Sequence, residues 1–150
     1  MLRKGEAMKH IMVATDGSET AHRAAVMAAQ MAKALGARVT VAHVMQPLRV
    51  PPESLILPEY LEVAEKARQE SAQRIIKGAA SEVEHQLGTV PATLLLDGNP
   101  AKELADAVKT SDADLLVVGS RGLGAFSRMI IGSTSTKLVH ICERPVLVVP

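Results

Sequence analysis

The sequence predicts a doubly wound α/β protein, with one parallel sheet between two layers of helices. Three observations carry this. Short apolar runs of strand length alternate with stretches whose apolar residues recur at helical spacing. The runs Ile11–Thr15 and Leu115–Val118 are apolar throughout rather than every second residue, as in strands covered on both faces. The most polar, glycine-containing turns, Asp16-Gly17 and Gly119 to Gly132, follow those same two runs. Right-handed crossovers make 3-2-1-4-5 the default order for five such strands. In that order the winding reverses between strands one and four, and ligands bind beyond the carboxyl ends of strands at such a reversal.

Each element has its own signals. Ile11–Thr15 reads as the first strand. Asp16-Gly17-Ser18 turns the chain, and Ser18 caps a helix whose apolar face is Ala21, Ala24, Ala25, Ala28, Met31, Ala32 and Leu35, closed by Gly36. Val39–Val44 is the second strand. Residues 45–57, with Pro47, Pro51 and Pro52, are irregular. A long helix from about Pro58 to Gln86 follows, with Leu61, Ala64, Ala67, Ala72, Ile75 and Ile76 on its apolar face. Its charges, including Glu62, Glu65, Lys66, Arg68, Glu70, Arg74 and Lys77, read as a solvated face with i,i+4 pairs. Val90–Leu96 is the third strand. Asn99 caps the next helix, Pro100 opens it, and it runs to about Thr110. Asp112 and Asp114 turn the chain into Leu115–Val118. A helix from Ser133 to about Cys142 is broken at Arg144-Pro145, and Val146–Val149 is the last strand.

Composition narrows the function. The 150 residues make one domain, with a short flexible extension expected over residues 1–8 and the folded domain over 9–150. Seventeen basic against sixteen acidic residues leave a net charge of +1, which argues against a dedicated nucleic-acid surface. Tyr60 and Phe126 are the sole aromatics, too few for a base-stacking platform. The chain has no apolar run long enough to span a membrane, and residues 1–8 are no signal peptide. The lone Cys142, beside Val139 and Ile141, fits a core thiol and a cytoplasmic protein. His10 and His43 flank strands without metal-ligand spacing around them, which favours structural roles.

The glycine pattern is the most informative motif. Gly119, Gly122 and Gly132-Ser133 run from the end of a strand to the start of a helix. Backbone amides approach phosphate closely only where no Cβ intervenes, and a helix N-terminus adds unpaired donors. The pattern is not a P-loop: Gly119 and Gly124 have the right separation, but Ala125-Phe126 stands where Lys-Ser/Thr is needed. Nor is it the dinucleotide fingerprint, because Ser127 occupies the third glycine position. Without a P-loop lysine, a base beside the γ-phosphate or a carboxylate cluster, the chain is expected to bind rather than catalyse, with slow hydrolysis at most.

The spacing Gly-x2-Gly-x9-Gly-Ser resembles that of the ATP-binding branch of the universal stress protein family. So do Ile11-Met-Val-Ala-Thr-Asp-Gly-Ser18, His43-Val44, Gly98-Asn-Pro-Ala101 and Pro145-Val-Leu-Val-Val149. The resemblance covers about Met8 to Pro150. It implies an adenine nucleotide alpha-hydrolase-like fold, an ATP or AMP ligand and a homodimer through Val146–Val149. Ala14, Thr15 and the Val44 backbone would line the adenine slot. Asp16 would accept from ribose hydroxyls or the adenine amino group, and Gly119 and Gly122 would admit backbone amides. Gly132, Ser133, Thr134 and Ser135 would hold the outer phosphates. Thr134 stands where the family often has valine. Arg121 and Arg128 are either phosphate partners or solvated cations, and Mg²⁺ or Mn²⁺ would enter through the phosphates and Ser133. A nucleotide-dependent stress-response switch is the first reading. A slow ATPase and a ligand-independent dimeric interaction protein are the alternatives. The segment Met45–Pro58 is a candidate lid.

Overall fold

The computed structural model describes residues 7–52, 55–122 and 131–150. Five parallel strands lie in the order β3-β2-β1-β4-β5. They are β1 His10–Ala14, β2 Arg38–Met45, β3 Ala92–Asp97, β4 Leu115–Gly119 and β5 Val146–Val149. Between them run α1 Glu19–Leu35, α2 Pro58–Leu87, α3 Pro100–Thr110 and α4 Ser133–Ile141. Most of the expected extension, Met1–Glu6, lies outside the described residues; Met8 already packs against the core.

Alternation along the central strands divides the core in two. Ile11 and Val13 of β1, Val39 and Val41 of β2, and Leu115 and Val117 of β4 face one way. Ala24, Ala25, Ala28, Ala29 and Ala32 of α1 cover them, with Ile76 and Val83 of α2. A stripe of alanines lets α1 lie close on the sheet. Met12, Ala42, Val44, Leu116 and Val118 face the other way, under Ala101, Leu104, Ala107 and Val108 of α3 and Leu138 of α4. Burial on both sides is why these strands read as continuous apolar runs. No described helix is long and apolar enough to cross a membrane.

Caps fix the helices where the sequence places them. The Ser18 side chain accepts from the Ala21 amide, and the Asn99 side chain from the Lys102 amide. Gly36 ends α1 at φ 66°, the left-handed region. Besides one-residue shifts at the ends of β1, β2 and β4, three features differ from expectation. β3 starts at Ala92, and Val90 is 77% exposed, because β2 pairs with β3 only from Thr40↔Ala92 onward. Cys142 is the extended cap of α4 rather than part of it, and is half-buried. Its neighbours Val139 and Ile141, which led to the expectation of a core thiol, are 54% and 50% exposed.

The third difference bears on function. Only Ala72, Ile76 and Val83 of α2 are buried, and Leu61 is 37% exposed. The reason is length. Thirty helical residues span about 45 Å, whereas the eight residues of β2 span about 26 Å. The first turns of α2 therefore rise past the carboxyl ends of the strands, and Arg68, Ser71, Ala72 and Ile75, further along the helix, wall the space above the sheet.

The opposite, amino-terminal end of the sheet is tied off internally. The Asp114 carboxylate accepts the amides of Lys9 and His10 at 2.8 and 2.9 Å. Burial works to raise its pKa, but these two bonds win and hold it below the ordinary aspartate value. The His10 ring meets the Ser111 carbonyl at 3.2 Å and the Thr40 hydroxyl at 2.8 Å. Burial, then the Arg38 charge, push its pKa below the usual histidine value. Asp112 makes the preceding turn at φ 53°.

Candidate functional site

The site starts where β1 stops. The Thr15 amide still donates to the Ala42 carbonyl at 2.9 Å, and the chain then leaves the sheet. Gly17 permits the exit at φ 82°, with Ile75 of α2 packed over it. Asp16 faces two ways. Its Oδ1 accepts the Ser18 amide at 2.9 Å and fixes the turn. Its Oδ2 points at Gly122, where an added Cβ would lie 2.8 Å away. One carboxylate oxygen thus builds the turn and the other faces the glycine loop.

β4 delivers that loop from the other side. A Cβ on Gly119 would sit 2.7 Å from the Ala21 amide nitrogen, inside the first turn of α1. The Thr20 hydroxyl locks this contact by donating to the Arg121 carbonyl. Gly132 then comes back over the loop, donating its amide to the Ser120 carbonyl at 2.6 Å. It is the N-cap of α4 and has no side chain to cap with. Thr136 is the first residue to return a backbone bond, to Gly132 at 3.0 Å. The amides of Ser133, Thr134 and Ser135 are the orphan donors of this helix start. The Ser135 hydroxyl is turned inward, bonded to the Gly119 carbonyl at 2.7 Å, so Ser135 offers the site its amide and not its side chain. Gly124 and Arg128 lie outside the described residues.

These pieces share a crevice of about 680 Å³ across the carboxyl ends of the strands. That volume is within the roughly 300–1,000 Å³ of small-molecule sites. Ala14, Thr15, Asp16, Val44, Gly119, Arg121, Gly122, Gly132, Ser133, Thr134 and Ser135, the residues expected from sequence, all line it. Both backbone groups of Thr15 are already used: its amide by Ala42, and its carbonyl by the His43 ring at 2.7 Å. Val44 shares the backbone orientation of Ala42, toward β1, but stands beyond the end of that strand.

The α2 wall, with Arg68, Ser71, Ala72 and Ile75, was not expected from sequence. Nor was His43. Arg68 corrects the reading of a solvated face: its side chain is only 16% exposed. It binds Glu65 and Asp97, each at 2.8 Å, and the Gln46 carbonyl at 3.1 Å. These bonds, to Glu65 first, raise the guanidinium pKa further. The cluster ties α2 to the ends of β2 and β3 and sets the width of the crevice there. A sequence signal existed for His43. It shares the inward parity of Val39 and Val41 at the carboxyl end of a strand. For Arg68 none did, because its partners are distant in the chain. Among the described residues no three His, Cys, Asp or Glu side chains gather to hold a metal ion.

A doubly wound parallel sheet, with a crevice at its switch point between a carboxylate turn and a glycine-capped helix, defines the class of open α/β folds. Within that class the chain belongs to the universal stress protein family, whose model matches residues 8–150. A universal stress protein of Thermus aquaticus is 41% identical over 143 residues, covering 94% of this chain and 98% of its own. Another, from Mycolicibacterium smegmatis, is 36% identical over 93% of this chain, which spans only 47% of that longer protein. The crystal structure of a universal stress protein in complex with cAMP matches with a TM-score of 0.71 and 25% identity, over 96% of this chain and 98% of that one.

Proposed function

We propose that the crevice binds an adenine nucleotide, ATP or AMP, and that the chain works as a nucleotide-dependent switch in the stress response. The observation that carries this is the placement of two complementary groups around one cavity. The outward Asp16 oxygen is an acceptor for ribose hydroxyls or an amino group. The orphan amides of Ser133, Thr134 and Ser135 are donors for phosphate. Gly122 lies between them, with an added Cβ 2.8 Å from Asp16. The cAMP complex of a relative supports the choice of adenine. The base would lie against Ala14, Thr15 and the Val44 backbone, at the carboxyl ends of β1 and β2. A Mg²⁺ or Mn²⁺ ion would arrive on the phosphates, with the Ser133 hydroxyl as the protein's contribution. The segment between β2 and α2 would cover a bound ligand: Met45, at the end of β2, and Gln46, which follows it, line the crevice.

Calorimetry with ATP and GTP under matched conditions tests this. ATP should bind and GTP should bind at least tenfold more weakly. Equal affinities, or no heat with any adenine nucleotide, would sink the reading.

The proposal includes a homodimer through β5. That strand pairs on one side only, with β4. Val146, Leu147 and Val148 carry no charge or bulge to blunt the open edge. Sedimentation should show a dimer at micromolar concentration that Leu147→Lys converts to monomer. A monomeric parent, or a dimer indifferent to the lysine, would refute it.

A further inference from the structure

We infer that His43 is a specificity-determining residue that selects an amino group over an oxo group on the base of the bound nucleotide. The inference rests on the nucleotide reading above. The ring is buried, with 9% of the residue exposed. Its Nδ1 lies 2.7 Å from the Thr15 carbonyl oxygen. A carbonyl can only accept, so Nδ1 must carry the proton. In a neutral imidazole the other nitrogen, Nε2, is then an acceptor and cannot donate. No described residue donates to Nε2, yet among the described residues no buried side-chain nitrogen or oxygen lacks a partner. Nε2 is therefore accessible, and the space His43 borders is the crevice.

The location matters as much as the lone pair. His43 has the parity of Val39 and Val41, which face α1 and α2, and it lines the crevice together with Ser71, Ala72 and Ile75 of α2. The α4 amides lie on the other side, with α3. A nucleotide whose phosphates reach α4 thus turns its base toward β2 and α2. An exocyclic amine there donates to Nε2. An oxo group in its place sets two lone pairs against each other, with no compensating bond. Denying a buried polar group its partner is how a site rejects a near-isosteric ligand.

AMP and IMP differ at C6, where the amino group becomes an oxo group, and at N1, which carries a proton only in IMP, and they test the idea directly. The parent protein should bind AMP roughly tenfold or more tightly than IMP, the effect of one buried hydrogen bond. In His43→Asn the side-chain amide can still donate to the Thr15 carbonyl, but nothing occupies the position of Nε2. The AMP preference should fall to about twofold or less, mainly through weaker AMP binding. Nitrogen-15 NMR of the parent gives a reading that needs no variant: the Nε2 resonance should move on titration with AMP and stay in place with IMP. If the parent binds AMP and IMP equally, or a folded His43→Asn keeps the full preference, His43 does not read the base and the nucleotide site stands. A still Nε2 resonance under saturating AMP has the same meaning. If neither nucleotide binds, both this inference and the functional reading fall.

Discussion

Gly119→Ala should cost about 2–4 kcal/mol of folding stability, among the larger effects a single methyl group can have. The backbone at Gly119 is ordinary strand, so no conformational strain is involved. The cause is space. The new Cβ would meet the Ala21 nitrogen and the Thr20 carbonyl carbon at 2.7 Å, closer than real Cβ contacts come. Those atoms are backbone in the first turn of α1 and cannot rotate away. The first turn of α1 is also held there twice, by the Ser18 cap and by the Thr20 hydroxyl on Arg121. Either the helix lifts from the sheet or β4 bends. Gly78→Ala is the matched control. Nothing lies within 4 Å of its added Cβ, and alanine is the better residue within a helix, so stability should rise by about 0.5–1 kcal/mol. Urea unfolding of both variants decides the matter. A Gly119→Ala protein as stable as the parent would show that α1 does not depend on this contact.

This contact marks the boundary of what the sequence discloses. Strand order, helix caps and the crevice's position followed from local signals: apolar runs, Ser18 and Asn99 before helices, glycines after strands. The spacing of the glycines was visible too, but not what each one accommodates. Gly119 makes room for α1, about a hundred residues earlier in the chain, whether or not a ligand is present. Gly122 makes room for the Asp16 carboxylate. Such reasons are tertiary and leave no local trace. The same holds for Arg68. Its neighbours in sequence are charged, and so it read as solvated, yet its bonds run to Asp97 and Gln46 on other elements. The apolar face of α2 misled for a different cause. Periodicity shows that a helix has an apolar side, but not how far the sheet beneath it extends.

Gly132→Val should lower ATP affinity roughly tenfold or more for each phosphate hydrogen bond it removes, at about 1.5–3 kcal/mol per charge-assisted bond. AMP should lose much less, because it lacks the outer phosphates. Gly132 has φ −61°, which valine adopts without strain. Its added Cβ would lie 3.3 Å from the Ser120 carbonyl oxygen and 3.5 Å from the Arg121 Cα. That is tight but needs a shift of only a few tenths of an ångström, unlike the collision at Gly119. The branches beyond Cβ then fill the gap between α4 and residues 120–122, where phosphate would have to approach the Ser133–Ser135 amides. Valine is also a poor N-cap, at a cost of about 1 kcal/mol or less relative to glycine. The fold should therefore survive with a modestly lower urea midpoint and an unchanged circular dichroism spectrum. The ratio of ATP loss to AMP loss separates the two roles open to this residue. A turn glycine with no ligand role would weaken both nucleotides equally, through stability alone. A phosphate-cradle glycine weakens ATP selectively, and a folded Gly132→Val protein that keeps the parent's ATP affinity would move the phosphate site away from α4.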